Sequence, residues 1–133
     1  MCWQSNSFPE RHIATEDIIC YKVFSKKDIV WETLLGSNIK KMIKVASLYR
    51  NYSYVPYKEN PEVKLTCYKV DRITNLIINA GYHSYISLLA AKRLYCSNFN
   101  IIECVIPKDS FYYINNRGET VSSNLIVTDK IVD

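Results

Sequence analysis

Short β-branched, aromatic or alternating apolar and polar stretches recur along the chain, and one stretch, Leu88 to Tyr95, is made of good helix formers. Ile18-Ile-Cys-Tyr-Lys-Val-Phe24 is rich in β-branched and aromatic residues and predicts a first strand, closed by the polar turn Ser25-Lys-Lys-Asp28. Ile29 to Leu35 reads as the second arm of a hairpin with that strand, ending near Gly36-Ser-Asn38. Met42 to Tyr49 alternates imperfectly, and Val63 to Val70 more clearly through Val63, Leu65 and Cys67, so two further strands are expected. Between them, Tyr52 to Pro61 combines two prolines, an Asn and several tyrosines, the composition of an irregular loop that helps to line a site.

Asp71 to Ala80 gives mixed signals. Ile73, Leu76 and Ile77 match a helix face, whereas Asn75, Asn79 and Gly81 oppose one, so a short helix or an extended segment ending at the glycine is expected. Ser87 is placed to cap a helix over Leu88 to Tyr95, whose good helix formers and late basic residues suit the helix dipole. Ile101 to Ile106, closed by Pro107, predicts a strand, and Phe111 to Ile114, the turn Asn115-Asn-Arg-Gly118 and Val121 to Ile131 complete a strand-rich carboxyl half. The sum is an α+β fold in a single domain over 1–133, an antiparallel or mixed sheet crossed by one principal helix at about 87–95.

Composition narrows the function classes. At 133 residues, 48% hydrophobic and 23% charged, the chain has the makeup of one globular domain rather than a linker or a disordered segment. No apolar run approaches the roughly 18 residues of a membrane span, and the amino terminus lacks a basic and apolar leader, so a cytoplasmic protein without a membrane partner is expected. A formal charge of +4 favours anionic ligands but falls short of the footprint of a nucleic-acid binder. Lys40, Lys41, Lys44 and Arg50 run into Tyr49, Tyr52, Tyr54 and Tyr57, mixing phosphate-seeking cations with stacking rings, although a solvated basic strand gives the same pattern.

The five cysteines are odd in number and form no Cys-x-x-Cys, and the histidines are His12 and His83 alone, so neither a disulfide framework, a metal site nor a cofactor is expected. Cys20, Cys67 and Cys104 sit in apolar contexts suited to small core residues. Three widely separated glycines exclude the phosphate loops of kinases, GTPases and dinucleotide-binding dehydrogenases.

Two residues could carry chemistry. Removal of Met1 would leave the Cys2 thiol beside a free α-amino group, the arrangement of an amino-terminal nucleophile, although Trp3 and Phe8 also suit a terminus that simply packs down. His83, in Gly81-Tyr-His-Ser84 before the expected helix, could act as acid, base or hydrogen-bond donor, or merely fix the turn. Glu103 should face away from Cys104 and outward. Lys108, Ser110, Arg117, Glu119 and Ser122 gather near the expected carboxyl-terminal turns, where Lys108 and Arg117 could meet phosphate or merely face solvent.

Met1-Cys2, Ile13-Ala-Thr-Glu-Asp-Ile18, Tyr21-Lys-Val23, Gly81-Tyr-His-Ser84, Cys104-Val-Ile-Pro-Lys108 and Val121-Ser122 together make the chain resemble a set of small Met-Cys-starting proteins of Bacteroidales and their phages. The resemblance implies a setting of conflict with host defences, in which small proteins bind or cleave nucleotide signals. The expectation is therefore a homo-oligomeric binder of a small anionic, nucleotide-like ligand, sequestering a defence signal through Tyr82, His83, Ser84, Lys108 and Arg117, with Tyr54 or Tyr57 stacking. The alternatives are a Cys-dependent amidohydrolase or transferase using Cys2 and His83, and an interaction module that inhibits a host enzyme by surface contact.

Overall fold

The computed structural model describes residues 3–5, 10–48, 52–70, 75–78, 80–93 and 97–132. Cys2, Phe8, Tyr49, Arg50, Cys96, residues 71–74 and Asn79 of the ambiguous segment and the 94–95 end of the expected helix lie outside them, as does the side chain of Cys67. In chain order the strands are β1 (Trp3–Ser5), β2 (His12–Ile13), β3 (Ile18–Ser25), β4 (Ile29–Thr33), β5 (Lys40–Ala46), β6 (Ser53–Tyr54), β7 (Cys67–Val70), β8 (Asn75–Ile78), β9 (Tyr82–Tyr85), β10 (Phe99–Ile106), β11 (Phe111–Ile114), β12 (Glu119–Ser122) and β13 (Ile126–Ile131). The helix α1 (Leu88–Lys92) stands between β9 and β10, and a single 3-10 turn (Lys26–Asp28) joins β3 to β4.

Seven strands form the main antiparallel sheet in the order β13-β10-β3-β9-β12-β11-β2, and two three-stranded sheets, β4-β5-β6 and β1-β8-β7, accompany it. The longest ladder joins β3 and β10 from Ile18 opposite Ile106 to Ser25 opposite Phe99, which centres the sheet on two eight-residue apolar strands. Alternation along β3 divides its side chains between two layers. Cys20 and Phe24 join Ile102, Cys104, Ile106 and Val127 beneath Met42, Val45 and Tyr54 of the β4-β5-β6 sheet. Val23 and Ile101 face the other way, against Ala91 of the helix. Trp3 and Ile78 bring the β1-β8-β7 sheet against Val121 and Tyr113. Phe24 and Ile102 are fully buried, each contributing about 1.5–3 kcal/mol of transfer free energy.

The expected α+β architecture with a principal helix is incorrect: strands dominate, and the helix is five residues long. Its start is as expected, since the Ser87 hydroxyl accepts from the Ala90 amide at 3.1 Å. Topology sets its place as a crossover. β9 and β10 flank β3 and both run antiparallel to it, so they are parallel to each other and need a crossover connection. Tyr85 is held opposite Tyr21 and Phe99 opposite Ser25, while the Lys26 amide donates to the Asn98 carbonyl oxygen.

Three smaller expectations also change. Ile29–Thr33 does not return along β3 but pairs with β5, because the 3-10 turn redirects the chain out of the main sheet. Val63 to Thr66 precedes the strand rather than belonging to it, the Val63 amide donating to the Ser123 carbonyl oxygen. Asn75–Ile78 is extended, each residue paired with β7, so cross-strand partners outweigh the helical spacing.

Candidate functional site

The structure disperses the expected ligand residues. Tyr82 and Tyr54 are buried and meet Tyr52 in a three-ring cluster with centroids 5.0 to 6.1 Å apart. The Tyr82 hydroxyl donates to the Pro61 carbonyl oxygen at 2.6 Å, and burial holds its pKa above the usual phenol range. These tyrosines are core rather than stacking platforms. Ser84 is buried and shares a hydrogen bond with the Thr120 hydroxyl. His83 lies in β9 rather than in a turn, opposite Val121, and so points to the other side of the sheet from Tyr82 and Ser84.

The cations lie apart from them and from each other. Lys108 is exposed in the turn after β10, its backbone amide donating to Asp17 Oδ1 at 2.9 Å. Arg117 is exposed in the turn after β11, with Nε 2.9 Å from Glu119 Oε1. The four residues of β11 separate these turns, about 13 Å of strand at about 3.3 Å per residue. Tyr57, exposed at a φ of 64°, directs its hydroxyl to Asp129 Oδ1 at 2.6 Å, which raises its pKa. The Cys2 and His83 pairing falls on a residue outside those described. Cys20 and Cys104 are fully buried; burial pushes the Cys20 thiol up to about 12 and the Cys104 thiol well above its ordinary value, so neither supplies a thiolate near neutral pH. Among the described residues no group of three or more His, Cys, Asp and Glu could hold a metal ion, and no helix is long and apolar enough to cross a membrane. Glu103 is half-buried near Lys130, at 3.8 Å.

Lys22 emerges as an interior cation that the alternating pattern concealed. It lies on β3 between Cys20 and Phe24, half-buried on the face covered by the β4-β5-β6 sheet. Its ammonium donates to the His83 carbonyl oxygen at 2.6 Å and stands 5.9 Å from the Phe24 ring centroid and 6.0 Å from that of Tyr54. Cross-strand register between β3 and β9 consists of Tyr21 opposite Tyr85, so the lysine reaches a backbone acceptor beyond the point where the strands pair. That geometry ties two strands together and makes Lys22 structural.

The main unburied feature is the β4-β5 hairpin. Its base is anchored by Ile29 opposite Val45, both in the core, and Met42 is buried opposite Trp31. Every residue from Val30 to Lys41 is exposed, on both faces, so the arm projects beyond the body it grows from. Val30, Trp31, Leu34, Leu35, Ile39 and Ile43 make up half of the large hydrophobic side chains exposed among the described residues. Leu35 at the tip is fully exposed and Ile39 is 63% exposed. The turn is well formed: the Leu34 amide donates to the Ile39 carbonyl oxygen at 3.0 Å, the Ser37 hydroxyl to the Leu34 carbonyl oxygen at 3.1 Å, and Gly36 takes a φ of 77°. Lys40, Lys41 and Lys44 follow on the returning strand, with no acidic residue from Thr33 to Lys44. Glu32 opposite Lys41 is the acidic partner across the ladder.

Of the basic and tyrosine-rich cluster read from the sequence, the lysines therefore belong to this arm, whereas Tyr54 belongs to the core. A hairpin of Ile29 to Leu35 with Ile18 to Phe24, the pairing that local pattern suggests, conceals the apolar tip, which the pairing of β4 with β5 exposes. The available signal was Leu34-Leu-Gly-Ser-Asn-Ile39, aliphatic residues flanking a turn where polar residues are usual. No protein-family model matches the chain, and no curated protein or solved structure matches it either.

Proposed function

We propose that the protein is an interaction module that uses the β4-β5 hairpin to engage an anionic partner surface. The observation that carries this reading is the concentration of exposed aliphatic side chains and lysines on one projecting arm held by an ordered turn. A contiguous apolar patch exposed to water is unfavourable in itself and commonly marks a contact surface. The lysines add long-range attraction for anionic partners. Compared with the small nucleotide-like ligand expected from the sequence, this reading needs no convergence of Lys108 and Arg117, which stand at opposite ends of β11.

Trp31 provides the assay. It is 41% exposed on the arm, while Trp3, the other tryptophan, is 3% exposed and donates through Nε1 to the Glu119 carbonyl oxygen at 2.9 Å. Titration with anionic phospholipid vesicles and with duplex DNA at low and high salt should shift Trp31 emission to shorter wavelength with at least one probe, and salt should weaken that response. A Lys40→Glu/Lys41→Glu variant should bind more weakly. Binding of either probe without a change in Trp31 emission, or undiminished in the charge-reversed variant, would reject the hairpin as the contact element.

A further inference from the structure

Building on the reading of the hairpin as the contact element, we infer that its partner is the surface of an anionic phospholipid bilayer, into which the Leu34, Leu35 and Ile39 tip inserts while Lys40 and Lys41 meet lipid phosphates. The order of chemistry along the arm supports this choice. Its end is aliphatic: Leu34, Leu35 and Ile39 are exposed around the turn, with neither an aromatic ring nor an arginine among residues 32–44 to stack on a base. Lys40 and Lys41 lie one and two residues behind Ile39, or about 3 to 7 Å along an extended strand. An interfacial element buries its apolar face about 5–10 Å deep, which brings these ammonium groups to the headgroup phosphates. Trp31 sits further back, opposite Met42, where an amphipathic ring suits the water side of the interface.

The hydrogen bonding within the turn strengthens the case for insertion. Leu34 and Ile39 already pair their backbone groups, and the Ser37 hydroxyl is turned back onto the Leu34 carbonyl oxygen, also accepting from the Ile39 amide at 3.2 Å. Fewer backbone polar groups at the tip must therefore lose water on entering the interface. A second copy of the chain fits less well, because apposed arms would bring two clusters of lysines together. The expectation of no membrane partner rested on the length of apolar runs, a criterion for spanning segments that a three-residue aliphatic tip escapes.

The test is flotation of the full chain with vesicles of phosphatidylcholine alone and of phosphatidylcholine containing about a third phosphatidylglycerol, beside a duplex DNA gel shift. The variants are Leu34→Ser/Leu35→Ser and Lys40→Glu/Lys41→Glu, at positions that the body of the fold leaves exposed, with circular dichroism to verify folding. The wild type should float with the anionic vesicles and not with the neutral ones. Each variant should bind at least tenfold more weakly, and brominated lipids should quench Trp31. Equal vesicle binding by the folded leucine variant would overturn insertion. Binding to duplex DNA alone, with a Trp31 response, would overturn the lipid assignment while sparing the hairpin reading. Binding to vesicles or DNA through residues other than the arm, with Trp31 silent, would overturn both, as would the absence of binding to every probe.

Discussion

Replacing Lys22 by Met isolates the contribution of one interior cation, since the thioether chain retains most of the stem's length and packing and removes only the ammonium. In the wild type that group donates to the His83 carbonyl oxygen at 2.6 Å, a charge-assisted hydrogen bond in a half-buried setting, for which about 1.5–3 kcal/mol is typical. The Phe24 and Tyr54 rings, 5.9 and 6.0 Å away, stand at the outer limit of cation–π range and add about 0.5 kcal/mol each at most. Relief of the desolvation borne by a half-buried ammonium opposes these terms. The balance is a loss of about 2 kcal/mol, and for a chain of 133 residues this lowers Tm by about 7 °C, at roughly 0.28 kcal/mol/K of unfolding entropy. Urea unfolding at neutral pH, followed by circular dichroism, measures it. A Lys22→Met protein within 0.5 kcal/mol of wild type, or more stable, would refute the view that the ammonium ties β9 to β3.

Other consequences follow from the same packing. Gly81→Ala should cost about 3 kcal/mol, because the added methyl would stand 2.6 Å from Leu65 Cδ2 and 2.7 Å from Val121 Cγ2 at a φ of 112°, whereas Gly36→Ala, with nothing within 4 Å, should cost only about 1 kcal/mol of backbone strain; parallel denaturation curves compare the two. Thr120→Val should destabilise by about 1–3 kcal/mol by leaving the buried Ser84 hydroxyl without this partner, and adding Ser84→Ala should recover part of the loss, a coupling that a double-mutant cycle reads. Cys20 and Cys104 should resist alkylation by iodoacetamide at pH 8 in the native protein and react on unfolding, as mass spectrometry would show. The unfolded Cys20 thiol loses its proton near 9.0 and the native one only at about 12, so the native state holds more protons between these values and stability should fall as pH rises through that window. The raised Tyr82 pKa acts in the same direction.

Much of the strand inventory is legible from local pattern. Ile18 to Phe24, Ile101 to Ile106 and Phe111 to Ile114 carry apolar and β-branched residues whose propensity and burial agree, and the Ser87 cap marks the helix start. What local pattern cannot encode is pairing. Leu88 to Tyr95 contains strong helix formers, yet their place as the crossover from β9 to β10 follows from pairings at Tyr21 and Ser25 far away in sequence. Asn75–Ile78 likewise takes its extended form from β7 and β1 on either side.

The candidate site was less legible for the same reason. Tyr82, His83 and Ser84 are neighbours in sequence, but a strand sends adjacent side chains to opposite faces, so the motif splits across the sheet. Lys108 and Arg117 are nine positions apart, and the intervening β11 holds them at its two ends rather than drawing them together. Lys40, Lys41 and Lys44 were recognisable as a basic cluster. Their aliphatic partners stand out in Leu34-Leu-Gly-Ser-Asn-Ile39, but that they share one arm with the lysines follows only from the pairing of β4 with β5.

The central claim, that the hairpin rather than the His83 region makes the functional contact, is tested most directly by amide hydrogen exchange of the full chain with and without anionic phosphatidylglycerol-containing vesicles. The account predicts slowed exchange at amides within Leu34 to Lys41, with residues 82–84 and 108–117 unchanged. Protection confined to 82–84 and 108–117, with the hairpin exchanging as in the free protein, would contradict it.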